Sequence, residues 1–184
     1  MTASDRPPFS YPVKIANLSA NAVDVRLAAD ERECAAVAAT WDVLAVKDLS
    51  AELHMARWKK DGVKIRGHVK AHIVQACVVT LEPVESFIDE PLDVVLVPEG
   101  SRLARIAAND SGEMILSPEG PDLPDTFVGD TIDVGDVVAE HAALAIDPYP
   151  RKEGAVFSGH IESTQADDER RNPFAALKAL KKDE

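Results

Sequence analysis

The sequence predicts an α+β fold, with an antiparallel, barrel-like β-sheet, flanking helices and a flexible C-terminal tail. Three observations carry this prediction. Apolar residues alternate with polar ones at 49–55 and 63–73, helix-capping residues stand at 30 and 133, and segment 98–127 is rich in Gly, Pro, Asp and Ser. The chain has 184 residues, 46% of them hydrophobic, which suits one domain of ordinary size plus a tail.

The first elements are two strands and a helix. Segments 9–18 and 23–27 are typical of strands, and the second alternates apolar with charged residues. Asp30 is placed to N-cap a helix that continues to about Trp41. An apolar stripe at helical spacing comprises Cys34, Val37, Ala38 and Trp41.

A β-hairpin is predicted next, with Lys60-Asp61-Gly62 as a three-residue loop and Gly62 in the left-handed conformation. In this register Leu53 faces Val69, whereas a slip of one residue would put it beside Lys70. On the outer face the same register pairs Trp58 with Lys64, His54 with His68, and Glu52 with Lys70.

The remaining elements complete a predicted domain at residues 1–150. A further strand spans 86–97, and a mobile acidic loop follows at about 98–127. Asp133 N-caps a helix that runs to about Ala145, and Pro148 and Pro150 end it. Residues 151–184 are predicted to be a flexible linker followed by a short terminal helix, begun by Asn172 and Pro173 and carrying Phe174, Leu177 and Leu180.

The charge is unevenly distributed. The formal net charge is -12, yet residues 54–81 carry six Lys/Arg against one acidic residue, whereas residues 82–147 carry sixteen Asp/Glu against two Arg. Overall acidity argues for solubility and against indiscriminate binding of polyanions. A positive segment within such a chain therefore needs an explanation of its own.

That segment is a basic strip of alternate residues on one strand: Lys64, Arg66, His68, Lys70 and His72. An extended backbone places all five on one face. Lys and Arg neutralise phosphates, and a neighbouring aromatic ring can stack on an unpaired base. The candidate nucleic-acid-binding residues are Trp58, Lys64, Arg66, His68 and Lys70. The alternative is a solvated outer face, or one screened by Asp89 and Asp93 of the next strand.

Enzymatic chemistry is not favoured. The sequence has no phosphate-binding glycine loop, no GxSxG elbow and no HExxH motif. Cys77 lacks a predictable base, which favours a buried structural thiol over a thiol-dependent enzyme. A cross-strand pair of His54 and His68 could touch a metal ion, but solvated histidines are favoured. No catalytic residue, metal site or cofactor is therefore expected.

The cellular setting follows from what the sequence lacks. Two cysteines are too few for a disulfide framework, which favours a reduced cytoplasmic compartment. No apolar run of about 18 residues exists, so no membrane partner is expected. The N-terminal segment has no apolar region typical of a signal peptide.

Several segments together resemble the YceD family, the large-ribosomal-RNA-subunit accumulation proteins of bacteria and plastids, and look most like its alphaproteobacterial branch. The matching segments are 67–84, which contains Gln75-Ala-Cys-Val-Val-Thr-Leu-Glu-Pro-Val84, together with 132–140, 144–151 and 172–178. By motif, the residues that carry the family pattern are Cys77, Glu82, Pro83, Asp133, Glu140, Asn172, Pro173 and Phe174.

The resemblance implies a non-enzymatic role in accumulation of large-subunit ribosomal RNA, with ribosomal RNA or the pre-50S particle as partner. The genes of the family often neighbour that of a large-subunit ribosomal protein. A second hypothesis is an acidic protein-binding module, whose 82–147 region shields and escorts a basic large-subunit ribosomal protein and whose Asn172-Pro173-Phe174 tail docks on a partner. Many members have Cys-x-x-Cys where this chain has Cys77-Val-Val-Thr80, so any metal bound by such relatives is not expected here.

Overall fold

The structure, a computed structural model, describes residues 7–18, 22–104 and 123–156. The chain divides into two units, Met1–Lys152 and Glu153–Glu184, and the strands and helices of the described residues all lie in the first. Its strands are β1 (Pro12–Lys14), β2 (Val23–Ala28), β3 (Ala45–Trp58), β4 (Gly62–Ala76), β5 (Pro83–Pro98), β6 (Asp125–Phe127) and β7 (Thr131–Asp133). Its helices are α1 (Glu31–Trp41) and α2 (Val134–Leu144), and short 3₁₀ turns cover Ile15–Asn17 and Arg102–Ala104.

The main sheet has five strands in the order β2-β3-β4-β5-β6, and β1 pairs with β7 in a separate two-stranded sheet. All pairs of the main sheet are antiparallel except β5 with β6, which is parallel. The α+β class is therefore confirmed. The barrel-like shape is not, because among the described residues the edge strands β2 and β6 do not pair and the sheet stays open.

Both predicted helices are present, and their capping residues explain where they begin. The Asp30 side chain accepts from the backbone N–H groups of Arg32 and Glu33, and the Glu33 carboxylate accepts from the Asp30 N–H, which completes a capping box. The Asp133 side chain caps α2 by accepting from the backbone N–H groups of Gly135 and Asp136. The predicted stripe of α1 is buried at Cys34, Val37 and Ala38, and Trp41 is half-buried.

The predicted register of the central hairpin is wrong by two residues. Leu53 faces Gly67 rather than Val69, and Trp58 faces Gly62 rather than Lys64. The loop is residues 59–61, in which Lys59 takes the left-handed conformation with φ 53°. A Cβ atom on Gly62 would lie 2.9 Å from the Trp58 ring and 3.1 Å from the Leu96 carbonyl oxygen. Gly62 therefore serves close packing within the sheet instead of the turn.

The core lies between the inner face of the main sheet and the two helices. The inner residues of β4 are buried as predicted, at Val63, Ile65, Val69, Ala71 and Ile73. They pack with buried residues of the other elements, including Val37 of α1 and Val138 of α2. This packing leaves the opposite face of β4 to solvent, which positions the candidate site.

One predicted strand is shorter in the structure, and other predicted segments fall on residues that the structure does not describe. Of the predicted strand 9–18, β1 and the following turn are what the structure shows. Residues 105–122 of the predicted mobile acidic loop and 157–184 of the predicted linker and terminal helix lie outside the described residues. Asn172, Pro173 and Phe174 are among them. In the part of the chain that is described, no helix combines the length and apolarity that crossing a bilayer requires.

Candidate nucleic-acid interface

The basic strip lies along the outer face of β4, as the alternation predicts. The exposed fractions of the Lys64, Arg66 and Lys70 side chains are 25%, 63% and 64%. His68 is exposed, and His72 is partly covered. Cationic side chains two residues apart on a strand are separated by about 6.7 Å. The strip therefore presents basic side chains at alternate positions, with Arg66 and Lys70 the more exposed of its fixed cations.

Carboxylates of β5 pair with this row. Asp93 lies 2.9 Å from Lys64 Nζ and 3.3 Å from Arg66 Nε. Asp89 lies 3.4 Å from His68 Nδ1 and 3.7 Å from Lys70 Nζ. The screening by Asp89 and Asp93 that the sequence leaves open is thus present, and each of these carboxylates is shared between two basic side chains.

The shared carboxylate at Asp93 is held in its ionised form. The hydrogen bond from Lys64 is the main cause that lowers the pKa of Asp93, and the charges of Lys64 and Arg66 act in the same direction. Two fixed cations face this one carboxylate, so the Asp93 end of the strip keeps a positive excess. A phosphate at this end would compete with one exposed carboxylate for two cations.

Trp58 does not lie opposite Lys64, whose β3 partner is Ala56. The indole is half-buried at the hairpin end of the sheet. Lys59 Nζ lies over its ring, 4.1 Å from the centroid, at a distance typical of a cation–π contact. One face of the Trp58 ring is therefore already covered by Lys59, and a base could stack on that face only if Lys59 moved.

The predicted pairing of His54 with His68 is also wrong, because the two-residue shift places His54 opposite Arg66. His54 Nδ1 instead lies 2.7 Å from a carboxylate oxygen of Asp24 on β2. Among the described residues, no three side chains of the His, Cys, Asp and Glu types are grouped closely enough to hold a metal ion.

An open cavity of about 580 Å³ adjoins the Lys70 end of the strip. Its lining residues come from β2, β3, β4 and β5: Arg26, Leu27, Ser50, Ala51, Glu52, His68, Lys70 and Asp89. Lys70 and Arg26 supply positive charge, and Glu52 and Asp89 supply negative charge. The face that carries the strip is thus concave here, and a bound chain would be contacted by more than one strand.

Phe87 is not among the residues predicted for the site. It lies on β5 opposite His72, with 76% of its surface exposed, on the same outer face as the strip. The signal was available, since Phe87 stands at the same parity along β5 as Asp89 and Asp93. The outer face therefore carries an exposed aromatic ring beside its basic residues.

A second cluster is the Cys77 turn, residues 77–82, which lies away from the strip where β4 passes into β5. Segment 147–152 is bound to it. The Gln75 amide donates to the Asp147 carbonyl at 2.9 Å, and the Val78 N–H donates to the Pro150 carbonyl at 2.9 Å. Lys152 Nζ lies 3.0 Å from the Glu82 carboxylate. Two segments that carry the resemblance are thus joined in space.

The Cys77 thiol is fully buried, and polar hydrogens surround its Sγ atom. The backbone N–H of Lys152 is the main cause that lowers the pKa of Cys77 to about 6, followed by the Thr80 hydroxyl and the N–H groups of Thr80 and Val79. The N–H groups of Lys152 and Val79 each lie 3.4 Å from Sγ. The Sγ atom of Cys77 thus accepts hydrogen bonds from two segments and joins them, and the lowered pKa favours its thiolate form at neutral pH.

This arrangement predicts a pH-dependent stability. Because the pKa of Cys77 falls from 9.0 to about 6 on folding, the unfolded chain binds the extra proton between these values. The thiolate contribution is fully present above about pH 9 and is lost as the pH falls through about 6. The stability loss caused by Cys77→Ala, measured by urea unfolding, should therefore be larger at pH 8.5 than at pH 6.

Cys34→Ala is the matched control, since burial is the main cause that raises the pKa of the Cys34 thiol. Its stability loss should not grow between the same two pH values. Equal losses for Cys77→Ala at both pH values would show that the thiolate contributes nothing to the fold.

The remaining family-pattern residues divide by role. Asp133 is structural, because Ser10 Oγ donates to its carboxylate at 2.6 Å and the Tyr11 N–H donates at 2.7 Å. Pro83 begins β5 opposite Ala76. Glu140 is exposed on α2 and lines a groove of about 430 Å³. The other lining residues include Asp125, Asp136, Val94, Val137 and Leu144, and none of those described is Lys or Arg.

Comparison with known proteins identifies the family. The sequence model described as "Large ribosomal RNA subunit accumulation protein YceD" matches residues 65–181, which is more than half of the chain. No curated protein and no solved structure matches. The match begins within the basic strip and includes both the Cys77 turn and α2. The alphaproteobacterial branch and the absence of catalysis stay predictions. The chain belongs to the YceD family of large ribosomal RNA subunit accumulation proteins.

Proposed function

We propose that this protein promotes accumulation of large-subunit ribosomal RNA by binding that RNA through the basic strip, in the cytoplasm and without catalysis. The observation that carries the proposal is the row of Lys64, Arg66 and Lys70 on the outer face of β4, in which Arg66 and Lys70 are mostly exposed. Such a row suits a phosphate backbone, because each cation that neutralises a phosphate releases condensed counterions of the nucleic acid. Ribosomal RNA, free or in the pre-50S particle, is the partner.

The ion pairs on the strip are compatible with this role. Lys70 and Arg66 are mostly exposed although they have carboxylate partners, and exposed ion pairs contribute about 0–1 kcal/mol each. A phosphate can therefore replace Asp89 or Asp93 at small cost. Asp89 and Asp93 lower the affinity of the strip for any polyanion. RNA segments that make further contacts with the protein, beyond the attraction between phosphates and cations, are therefore favoured.

A second candidate is the escort of a basic large-subunit ribosomal protein. The groove beside α2 favours it, because Asp125, Asp136 and Glu140 surround apolar side chains there. Burial is the main cause that raises the pKa of Asp136, and the charge of Asp133 adds to it. A lysine-rich segment would neutralise this groove. If the escort is the function, Glu140→Gln should weaken binding of a basic ribosomal protein and leave RNA binding unchanged.

Asp93→Asn tests the RNA proposal by the sign of its effect. Removing this carboxylate frees Lys64 and Arg66 and deletes one negative charge beside them. Affinity for single-stranded RNA should therefore rise, roughly threefold to tenfold at moderate salt. The measurement is fluorescence anisotropy of a labelled oligouridylate titrated with the full chain.

Asp42→Asn is the matched control, since it removes the same charge at an exposed left-handed position where asparagine is well tolerated. It should leave the RNA affinity within a factor of about two. An Asp93→Asn variant that binds RNA no better than Asp42→Asn would contradict a phosphate site at the strip.

A further inference from the structure

Phe87 and His72 form an aromatic pair at the end of the basic strip. Their ring centroids are 4.2 Å apart, with an angle of 22° between the ring planes. The His72 Nε2 atom lies 2.9 Å from the Glu85 carboxylate, which also contacts Lys47 Nζ. His72 is therefore held by a carboxylate on one side and stacked against Phe87 on the other.

The position of Phe87 is not explained by packing of the core. Its ring is 76% exposed, whereas the neighbouring inner residue Ile88 is 7% exposed. Single exposed apolar residues are common on protein surfaces. What distinguishes Phe87 is that its ring is oriented by a stacked partner and lies on the face that carries Lys70. One face of the ring is covered by His72, and the other is available.

We infer that the available face of Phe87 stacks on an unpaired base of single-stranded RNA, while Lys70 binds the adjoining phosphate. This inference rests on the proposed function and adds to it the form of the RNA. A base within a duplex already has neighbours on both faces, so an aromatic platform on a sheet selects single-stranded segments. Lys47, which contacts Glu85 beside the platform, supplies further positive charge.

Phe87 suits this role better than Trp58. Lys59 Nζ lies over the Trp58 ring, and the backbone of Gly62 packs against the same side chain. Trp58 is half-buried, whereas Phe87 is mostly exposed. Of these two rings, Phe87 is therefore the one that can receive a base without moving another group.

The test compares Phe87→Ala and Phe87→Tyr with the wild-type full chain. Binding to a labelled single-stranded oligouridylate and to an RNA duplex of equal length is measured by anisotropy over a series of salt concentrations. Phe87→Ala should weaken single-strand binding roughly tenfold, and Phe87→Tyr should restore it. The slope of log affinity against log salt should stay unchanged, because neither variant removes a cation that binds phosphate. Duplex affinity should not respond to either variant.

Val128→Ala is the control, since Val128 is 77% exposed and directly follows β6, which pairs with the opposite end of β5 from Phe87. It should bind the single strand as the wild type does. Salt-dependent RNA binding that Phe87→Ala leaves unaltered, or a loss that Phe87→Tyr does not restore, would overturn the platform and leave the proposed function standing. A wild-type chain that binds neither RNA would overturn both.

Discussion

Replacing Lys64, Arg66 and Lys70 together with glutamate should lower the affinity for single-stranded RNA by on the order of 100-fold at physiological salt. The variant removes three cations from one exposed face and places three anions beside Asp89 and Asp93. The weaker attraction for phosphates and the new repulsion act in the same direction. The slope of log affinity against log salt should also become shallower, by about 0.7 for each phosphate of the single strand that the variant no longer neutralises.

Two control variants show whether the loss of affinity is specific to the strip. Replacing Lys14, Arg32 and Arg151 with glutamate gives the same net charge on exposed positions outside the strip, and should lower the affinity far less. Replacing the three strip residues with glutamine removes the cations without adding repulsion within the sheet, and should retain most of the reduction in affinity. If the glutamate variant folds and binds RNA as the wild type does, the strip is not the RNA site.

The two faces of the central hairpin could be predicted from the sequence, but their register could not. Alternation requires Lys64, Arg66 and Lys70 to share a face, and the structure agrees. A one-residue slip would bury a cation and is excluded, whereas a two-residue shift leaves every residue on the same face. The alternation therefore cannot tell the predicted register from the observed one. What separates them is close packing at Gly62 and Gly67, which depends on the folded backbone.

For the residues around the strip, the face on which each lies could be predicted, but their contacts could not. Asp89 and Asp93 could be assigned to the outer face of β5 by parity, and so could Phe87. Which carboxylate binds which cation depends on side-chain reach and strand twist, which no sequence pattern records. The contacts of the Cys77 turn were even less predictable from the sequence. The N–H of Lys152, 75 residues along the chain, donates to Cys77 Sγ, and only the fold brings these two together.

At Gly67 the backbone of β4 packs closely against the backbone of β3. A Cβ atom there would lie 2.0 Å from the Glu52 carbonyl oxygen and 2.9 Å from the Leu53 Cα atom. Both are backbone atoms of a central strand, so the clash cannot be relieved by a side-chain rotation. Gly67→Ala should therefore lower the free energy of unfolding by about 3 kcal/mol or more. In a chain of this size the melting temperature should fall by roughly 6–12 °C.

Gly129→Ala separates this packing effect from the general cost of replacing glycine. Gly129 has a φ of 83° and nothing within 4 Å of the added Cβ atom, so its variant should lose only about 1 kcal/mol through backbone strain. Equal losses at the two positions would show that β4 does not approach β3 this closely.

Gly67 also lies between Arg66 and His68, and Glu52 and His68 both line the cavity beside the strip. A folded Gly67→Ala protein should consequently bind RNA more weakly, although it keeps every charged and aromatic side chain of the interface.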